Sequence, residues 1–324
     1  MNGISYINAN LPAAQASFAG ADARPRWTSN RIHSHIANTI VLKNQNEGSA
    51  WNIAGTLSKT TAFGLSLRGA YSYNISRNTV DPGSIAFGSW AGNPRAGDPN
   101  NPGVAYSTPF GASLGHRVFA LASYTREYFD FGSTSISVFW ESRNNGNTSY
   151  AFAGDMNGDG GSGSDLIYIH RDQAEMNFQT FTAGARTFTA AEQAAAWEAY
   201  IAQDRYLNKH RGQYAERGAV FLPLVHRADL SVTQGVFRSL SGKRHAFEVR
   251  LDIDNFTNLL SSDWGVGQRL IRNQILTNPG VDAQGRATYR LVVVNNQLLT
   301  KSLETTSFAT DVYRFMVSLR YRFN

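Results

Sequence analysis

One short segment carries residue types at a spacing suited to metal chemistry. It reads Asp155-Met-Asn-Gly-Asp-Gly160, so that Asp155, Asn157 and Asp159 alternate, and Asp165 follows a little further on. This order matches the opening of a calcium loop, in which oxygen atoms of alternate side chains converge on the ion and a glycine permits a sharp turn. The four acidic and amide residues are therefore candidate calcium ligands, and Ca²⁺ is the one candidate cofactor.

The end of this segment departs from the calcium-loop pattern. Position twelve normally carries a bidentate glutamate, whereas this sequence has Leu166 there and Asp165 one place early. Two interpretations stay open, a loose calcium site and a flexible glycine- and aspartate-rich extracellular loop without an ion. The mismatch at Leu166 favours the second.

Other kinds of chemistry find little support in the sequence. The chain has no cysteine and lacks the Gly-x-Ser-x-Gly, phosphate-binding glycine-rich and His-Glu-x-x-His motifs, so we expect no enzyme and no catalytic residue. Its seven histidines are scattered; His33 and His35 would share a strand face, a weak basis for a metal site. The 30 basic residues are interleaved with 24 acidic ones without a Lys/Arg run, so we expect no nucleic-acid partner.

The elements that position these residues are strands. Between Tyr313 and Phe323 every second residue is apolar and most of the others are polar, and His245–Asp254 repeats the pattern. Similar alternation around residues 51–58, 65–75, 135–141 and 227–233, with less regular stretches at 36–46 and 116–127, predicts about eight long strands. No apolar stretch is long enough for a membrane helix.

The connections between these strands have very unequal lengths. Tight turns are predicted at 44–48, 59–62, 129–132 and 239–242, and long segments at about 78–114, 144–224 and 273–311. The long segments fall at one end of the sheet, and all turns except 44–48 fall at the other. This predicts an all-β fold, an antiparallel up-and-down transmembrane β-barrel with long extracellular loops.

One of the long loops is expected to contain a short helix. Thr189-Ala-Ala-Glu192 forms a capping box, and Trp197, Tyr200 and Ile201 follow on one face. A soluble β-sandwich would alternate in the same way as the predicted barrel, but its strands are usually about 5 to 6 residues long. The longer strands here, and aromatic residues such as Trp51 and Trp140 near strand ends, favour the membrane barrel.

Several segments resemble TonB-dependent outer-membrane receptors of the Oar-like branch, in the order of that family. They are Gly154–Ile169, Tyr206–Arg217, Arg227–Gln234, Phe247–Gly265 and the closing strand Val312–Phe323. The resemblance covers about residue 20 to the end. Two departures are visible, because Asn324 follows Phe323, where the family ends on an aromatic residue, and Ser261 stands where the family has Asn.

The resemblance implies a role in energised uptake of an unidentified solute across the outer membrane of a Gram-negative bacterium. Implied partners are outer-membrane lipid, an extracellular ligand, the TonB complex through a plug domain, and the barrel-assembly machinery, which would read the strand ending at Phe323. A signal peptide, plug and TonB box are not recognisable in residues 1–324, so we expect this chain to be the C-terminal part of a receptor barrel.

Two rival hypotheses remain at the level of sequence. The chain could be an autonomous eight-stranded outer-membrane barrel whose interior is filled by its own arginines and aspartates. It could also be a soluble, carbohydrate-binding β-sandwich. The charges on the polar strand faces are expected to pair with one another and with a plug.

Overall fold

The computed structural model describes residues 3–107, 115–240 and 243–323. The protein is mostly β, its sheets are predominantly antiparallel, and four helices lie between the strands of this part of the chain. No helix among the described residues is both long and apolar enough to cross a membrane. The predicted all-β class is therefore confirmed.

The main sheet is an antiparallel meander of seven long strands. They are β1 (Ser49–Thr60), β2 (Leu65–Asn78), β3 (Gly115–Tyr128), β4 (Gly132–Asn144), β5 (Leu224–Leu240), β6 (Lys243–Asp254) and β7 (Arg314–Phe323). They pair in sequence order, and the short strand Ala105–Tyr106 adds to the end of β2 as an eighth member. The order leaves β1 and β7 as the two edges.

The strand register gives this sheet one apolar face and one polar face. Ile53 lies opposite Tyr73, Val138 opposite Leu230, and Leu251 opposite Val317. Because successive side chains of a strand point to opposite sides, this register places most of the apolar residues of the seven strands on the same face. The predicted alternation is confirmed along most of the sheet, but Phe119, Leu121 and Phe139 on β3 and β4 lie on the polar face.

The unequal connections are also found. The short connections 61–64 and 129–131 lie at one end of the sheet, and the long connections 79–114, 145–223 and 255–313 lie at the other. Residues 241–242 of the predicted turn at 239–242 lie outside the described residues. We refer to the two ends as the short-turn end and the long-loop end.

The predicted hairpin at residues 44–48 is wrong. The strand Ile40–Gln45 pairs with Gly3–Asn8 in a separate two-stranded sheet, and within the described residues β1 pairs with β2 alone. Alternation fixes which face of a strand is apolar but does not choose its partner, and the N-terminal strand supplies a competing one. The main sheet thus has seven long strands instead of about eight.

The rest of the chain forms short elements. The helices are α1 (Ala86–Ala91), α2 (Ala190–Gln203), α3 (Arg205–Lys209) and α4 (Phe256–Leu260), with a 3₁₀ turn at Gln173–Glu175. The paired short strands are Ala16–Ser17 with Pro25–Arg26, Asn147–Thr148 with Val220–Phe221, Tyr168–Ile169 with Gln213–Tyr214, Phe181–Ala183 with Arg186–Phe188, Gln268–Leu270 with Leu303–Thr305, and Val293–Val294 with Gln297–Leu298. Gln274–Val281 pairs with both Ala151–Phe152 and Ala287–Leu291.

These short elements share a buried core. We call residues 3–45, 79–107, 145–223 and 255–313 the loop module. Its core combines Phe18 from the N-terminal segment, Trp197 from the second long connection and Ile275 from the third, packed among further buried aliphatic and aromatic side chains. The long connections are therefore packed against one another as in a soluble domain.

Helix α2 confirms the helix expected from the capping box. The Thr189 hydroxyl accepts a hydrogen bond from the Glu192 backbone N–H, and the Glu192 carboxylate accepts one from the Thr189 backbone N–H. Trp197, Tyr200 and Ile201 are fully buried on the inner face of the helix. The helix is fixed in the module by this apolar stripe.

Candidate functional site

The four candidate calcium ligands lie in one turn-rich segment of the loop module, between Phe152 and Leu166. The Asp155 carboxylate accepts hydrogen bonds from the backbone N–H groups of Gly158 at 2.8 Å and Gly160 at 2.9 Å. Gly158 has φ +85°, and a Cβ there would lie 2.3 Å from the carbonyl oxygen of Trp27. The glycines predicted to permit sharp turns do so, and the aspartate holds the turns closed.

Asp159 pairs with an arginine from another long connection. The Arg95 guanidinium donates to both carboxylate oxygens of Asp159, the shortest contact being 2.8 Å from Nη2 to Oδ1. Both side chains are fully buried. A buried carboxylate requires a compensating positive charge, and Arg95 supplies the charge that a bound cation would otherwise bring.

Arg95 is held by more than its partner carboxylate. Its Nη1 donates to the backbone carbonyl oxygens of Trp90, Ala91 and Asn93, at 2.9 to 3.1 Å. Trp90 and Ala91 belong to the last turn of α1, where carbonyl groups lack helical partners and attract positive charge. A Cβ on Gly161 would lie 2.2 Å from Nη2, so glycine is required for the guanidinium to fit. The pair joins two long connections of the module.

Asp165 is the most unusual acid of the segment. Its Oδ2 accepts a hydrogen bond from the Met156 backbone N–H at 2.8 Å, and its buried Oδ1 has no hydrogen-bond partner. Burial raises the pKa of this carboxyl to about 7; the nearby Asp159 carboxylate acts in the same direction, and Arg24 opposes both. Burial therefore favours the neutral form of the Asp165 carboxyl relative to an exposed aspartate.

The arrangement bears on both interpretations of this segment. Asn157, Asp159 and Asp165 are at most 1% exposed, whereas Asp155 is exposed, so three of the four polar side chains are buried within the tight turns. The interpretation as a flexible extracellular loop without an ion stays a prediction. Asn157 Oδ1 accepts from the Asp159 N–H, so its oxygen is already engaged. Within the described residues no group of three or more acidic or histidine side chains is arranged to hold a metal ion. Calcium binding by Asp155, Asn157, Asp159 and Asp165 stays a prediction.

A second buried ion pair lies beside the first. Asp22 and Arg24 pair at 2.8 Å with almost no exposure, and the Arg24 guanidinium also stacks over the rings of Phe152 and Tyr214. The Tyr289 hydroxyl donates to Asp22 at 3.2 Å. The pair fastens the N-terminal segment to the second and third long connections. Sequence reasoning missed Arg24 and Arg95, because nothing in their local sequence distinguishes a buried arginine from an exposed one.

His170 is the one buried histidine of the described chain. Its Nδ1 accepts a hydrogen bond from Trp197 Nε1 at 3.0 Å, and its ring packs edge-on against Tyr289. Burial lowers the pKa of His170 to about 4, partly offset by Asp22 and Glu175. It is a neutral structural acceptor. His33 and His35 lie in an irregular stretch instead of a strand, so the shared face expected for them is not formed.

The polar face of the main sheet gathers the remaining charges near β6 and β7. Arg250 pairs with Asp252 at 2.7 Å, Arg314 with Asp254 at 3.1 Å, and Arg322 with Glu248 at 2.7 Å. These pairs confirm that charges on the polar strand faces partner one another. They border a cavity of about 440 Å³ lined also by Thr233, Met316, Ser318 and Arg320.

The apolar face of the main sheet is largely uncovered. Leu57 on β1 is 84% exposed, and Leu319 on β7 is 68% exposed. Large side chains on the intervening strands, among them Tyr71, Tyr124, Ile136, Val138, Val236 and Phe247, are also exposed. A soluble monomer rarely exposes a contiguous apolar patch of more than a few hundred Å², whereas this face extends across seven strands.

Comparisons with known proteins add no assignment. No protein-family model, no curated protein and no solved structure matches this chain. The interpretation of the chain therefore depends on its own residues and geometry.

Proposed function

We propose that this chain forms part of the wall of an outer-membrane β-barrel belonging to a TonB-dependent receptor, which takes up a solute across the outer membrane of a Gram-negative bacterium. The loop module would face outward and the short turns would face the periplasm. The chain performs no chemistry of its own in this proposal. Its membrane partner is lipid, and its ligand is an unidentified extracellular solute.

The exposed apolar face carries this proposal. Side chains such as Ile53, Val138 and Val317 would be unfavourable in water, where each Å² of apolar surface costs roughly 25 cal/mol, but they suit the hydrocarbon of a bilayer. The ten residues of β7 span about 33 Å, enough to cross the apolar layer at the tilt usual for barrel strands. Strand length and face polarity therefore agree.

The opposite face supports the same orientation. The ion pairs of Glu248, Arg250 and Asp254 suit a polar interior, because charges in a barrel lumen are hydrated and can pair with one another or with a plug. A soluble sandwich would instead cover the apolar face with a second sheet. No such sheet covers it among the described residues.

The two edges support a larger barrel. β1 and β7 each pair with one neighbour, and they do not pair with each other in the described part of the chain. In lipid, each backbone group without a hydrogen-bond partner costs several kcal/mol, so both edges require further strands. This favours a wall segment of a longer receptor over an autonomous barrel closed by the chain itself.

The proposal can be tested by reading the environment of adjacent residues. The chain has no cysteine, so Val317→Cys and Ser318→Cys each give one labelling site, on opposite faces of β7. After reconstitution in vesicles within the complete receptor barrel, whose further strands would pair both edges, we expect an environment-sensitive fluorophore at 317 to be quenched by brominated lipid. The matched label at 318 should be quenched by an aqueous quencher.

Three outcomes would count against the proposal. Equal lipid quenching at 317 and 318 would remove the distinction between a lipid face and an interior face. Partition of the folded chain into the aqueous phase of Triton X-114 would favour the soluble sandwich. Heat-modifiable gel mobility of the chain alone in the outer membrane would favour the autonomous barrel.

A further inference from the structure

A cavity of about 580 Å³ lies at the long-loop end of the main sheet. We call it the rim cavity. Its sheet wall includes His116 from β3, Leu224 and His226 from β5, and Asn144 from β4. The register places all four on the apolar face of the sheet, since His226 follows the same alternation as Ala228 and Leu230. The rim cavity therefore borders the surface proposed to contact lipid.

The opposite wall comes from the loop module. It includes Arg205 at the start of α3 and the apolar side chains of Leu270 and Leu303. Arg205 is exposed and has no ion-pair partner within the described residues. The adjacent Asp204 also lines the cavity, but its carboxylate forms no ion pair with Arg205: its Oδ1 accepts from the N–H groups at the start of α3, and its Oδ2 accepts from the Tyr150 hydroxyl. The cavity thus combines an arginine that has no ion-pair partner among the described residues with a hydrogen-bonded carboxylate and apolar side chains.

Aromatic side chains mark the level of the rim cavity. The His226 ring stacks on Trp140 with an interplanar angle of 13°, and the Tyr71 hydroxyl lies 2.9 Å from His116 Nδ1. Tryptophan and tyrosine collect where hydrocarbon gives way to lipid headgroups. In the proposed membrane location, a cavity at this level that borders the apolar face would lie at the depth of the lipid headgroups.

We propose that the rim cavity binds the phosphate-bearing headgroup of a membrane lipid. Arg205 would pair with the phosphate, since a guanidinium matches phosphate oxygens with two parallel hydrogen bonds. The first acyl carbons would lie on Leu224 and continue along the apolar face. This inference rests on the proposed membrane location, and it adds a lipid site that does not depend on the transported solute. A free phosphate ion would use Arg205 but not the apolar wall.

The test is a lipid titration of the full chain in a neutral detergent, read by native mass spectrometry. The probes are phosphatidylglycerol, a diacylglycerol with the same acyl chains, and inorganic phosphate. We expect phosphatidylglycerol to bind, the phosphate-free diacylglycerol to bind at least tenfold more weakly, and millimolar inorganic phosphate not to displace the lipid. Displacement by inorganic phosphate would overturn the lipid assignment in favour of a simple phosphate site.

Matched variants test whether the lipid binds in the rim cavity through Arg205. Arg205→Ala should weaken phosphatidylglycerol binding about tenfold, because one charge-assisted contact is lost. Arg205→Lys should recover part of the binding. Lys209→Ala, which removes the same charge from the same helix outside the cavity, should bind as the parent chain does. Equal binding by Arg205→Ala and the parent would overturn the proposal.

The labelled variants at 317 and 318 distinguish failure of the lipid-site assignment from failure of the proposed membrane location. If the face-specific quenching is observed and Arg205→Ala still binds lipid normally, the rim cavity assignment is wrong while the membrane location stands. If neither label contacts lipid, both are wrong. Because Arg205 is exposed, its replacement leaves the packed core of the module intact, and parent-like quenching in Arg205→Ala checks this.

Discussion

The loop module buries its apolar side chains, whereas the main sheet exposes many of its apolar side chains on one face. In the loop module, Tyr150, Phe152 and Trp197 are fully buried, as are the charges of Arg95 and Asp159. The long strands instead turn their apolar side chains outward. The module buries its apolar side chains as a protein in water does, whereas the sheet leaves the apolar side chains of one face exposed. The hydrophobic core that holds this chain together therefore lies in its connections.

The sharpest test of this difference is to break the buried ion pair of the module. Arg95→Met leaves the Asp159 carboxylate buried without a charged partner, with the Gly161 N–H as a remaining hydrogen-bond donor, which costs about 3 to 5 kcal/mol. We expect the module to unfold at low denaturant while the labelled sheet stays in lipid. Trp fluorescence during urea titration measures the unfolding of the module. Lipid quenching of the label at position 317 measures whether the sheet stays in lipid.

The matched control for that change is a surface pair of the same type. Arg269→Met removes an exposed partner of Glu304, for which we expect at most about 1 kcal/mol. If Arg95→Met and Arg269→Met lower the free energy of unfolding by the same amount, the buried ion pair stabilises the module no more than the surface pair does. If the sheet leaves the membrane together with the module, the two regions are not separate.

A charge on the exposed apolar face should affect the main sheet and leave the loop module unchanged. Leu319→Lys places an ammonium group on the apolar face of β7, at an expected cost of about 2 to 4 kcal/mol near the centre of a bilayer. Ser318→Lys, on the polar face of the same strand, is the control. We expect reconstitution yield to fall only for Leu319→Lys, with unchanged module unfolding. Equal yields would contradict a lipid-facing Leu319.

A pH titration addresses the module alone. The pKa of His170 is lowered by burial to about 4 in the folded protein, so the unfolded chain takes up the proton first. The contribution of neutral His170 is complete above pH 6.5 and is lost as the pH falls toward 4. Between pH 7.5 and 5.5 we expect the contribution of His170 to the free energy of unfolding to fall by about 1 kcal/mol.

His170→Asn isolates this contribution. The amide oxygen can still accept the Trp197 N–H but does not titrate. We expect the parent chain to lose stability relative to the variant as the pH falls, in urea titrations followed by Trp fluorescence. A constant difference between the two proteins across this pH range would show that His170 is accessible to protons in the folded state.

The predicted calcium loop gives the smallest expected effect. Because Arg95 already neutralises Asp159, we expect 1 mM Ca²⁺ or its removal by a chelator to change the stability of the module by less than about 1 kcal/mol. Calorimetric titration measures this directly. Micromolar binding that disappears in Asp165→Asn would instead identify Asp155, Asn157, Asp159 and Asp165 as calcium ligands.

Local pattern predicted the local elements well. The alternation of Tyr313–Phe323 predicted β7, and the Thr189 capping box predicted α2, because each depends on residues close in sequence. The partner of Ile40–Gln45 could not be predicted, since face polarity does not select between two available strands. Pairing choice is decided by the whole fold.

The candidate site was predicted in composition but not in geometry. The sequence identified Asp159 as a possible ligand, whereas the structure gives it a guanidinium from a residue 64 positions earlier. Likewise, Asp165 is an ordinary aspartate in sequence, and only burial makes its pKa unusual. Long-range charge pairing and desolvation depend on tertiary packing, which no local motif encodes.

The contact between Asp22 and Tyr289 also sets an order of events in folding. These residues are 267 positions apart, and the nearby bridge between Ala19 and Arg286 spans the same interval. The core of the module cannot close until almost the whole chain has left the ribosome, whereas hairpins such as β3–β4 need only neighbouring residues. Until then the N-terminal segment around Asp22 lacks the partners that complete the core, so the module closes late during synthesis.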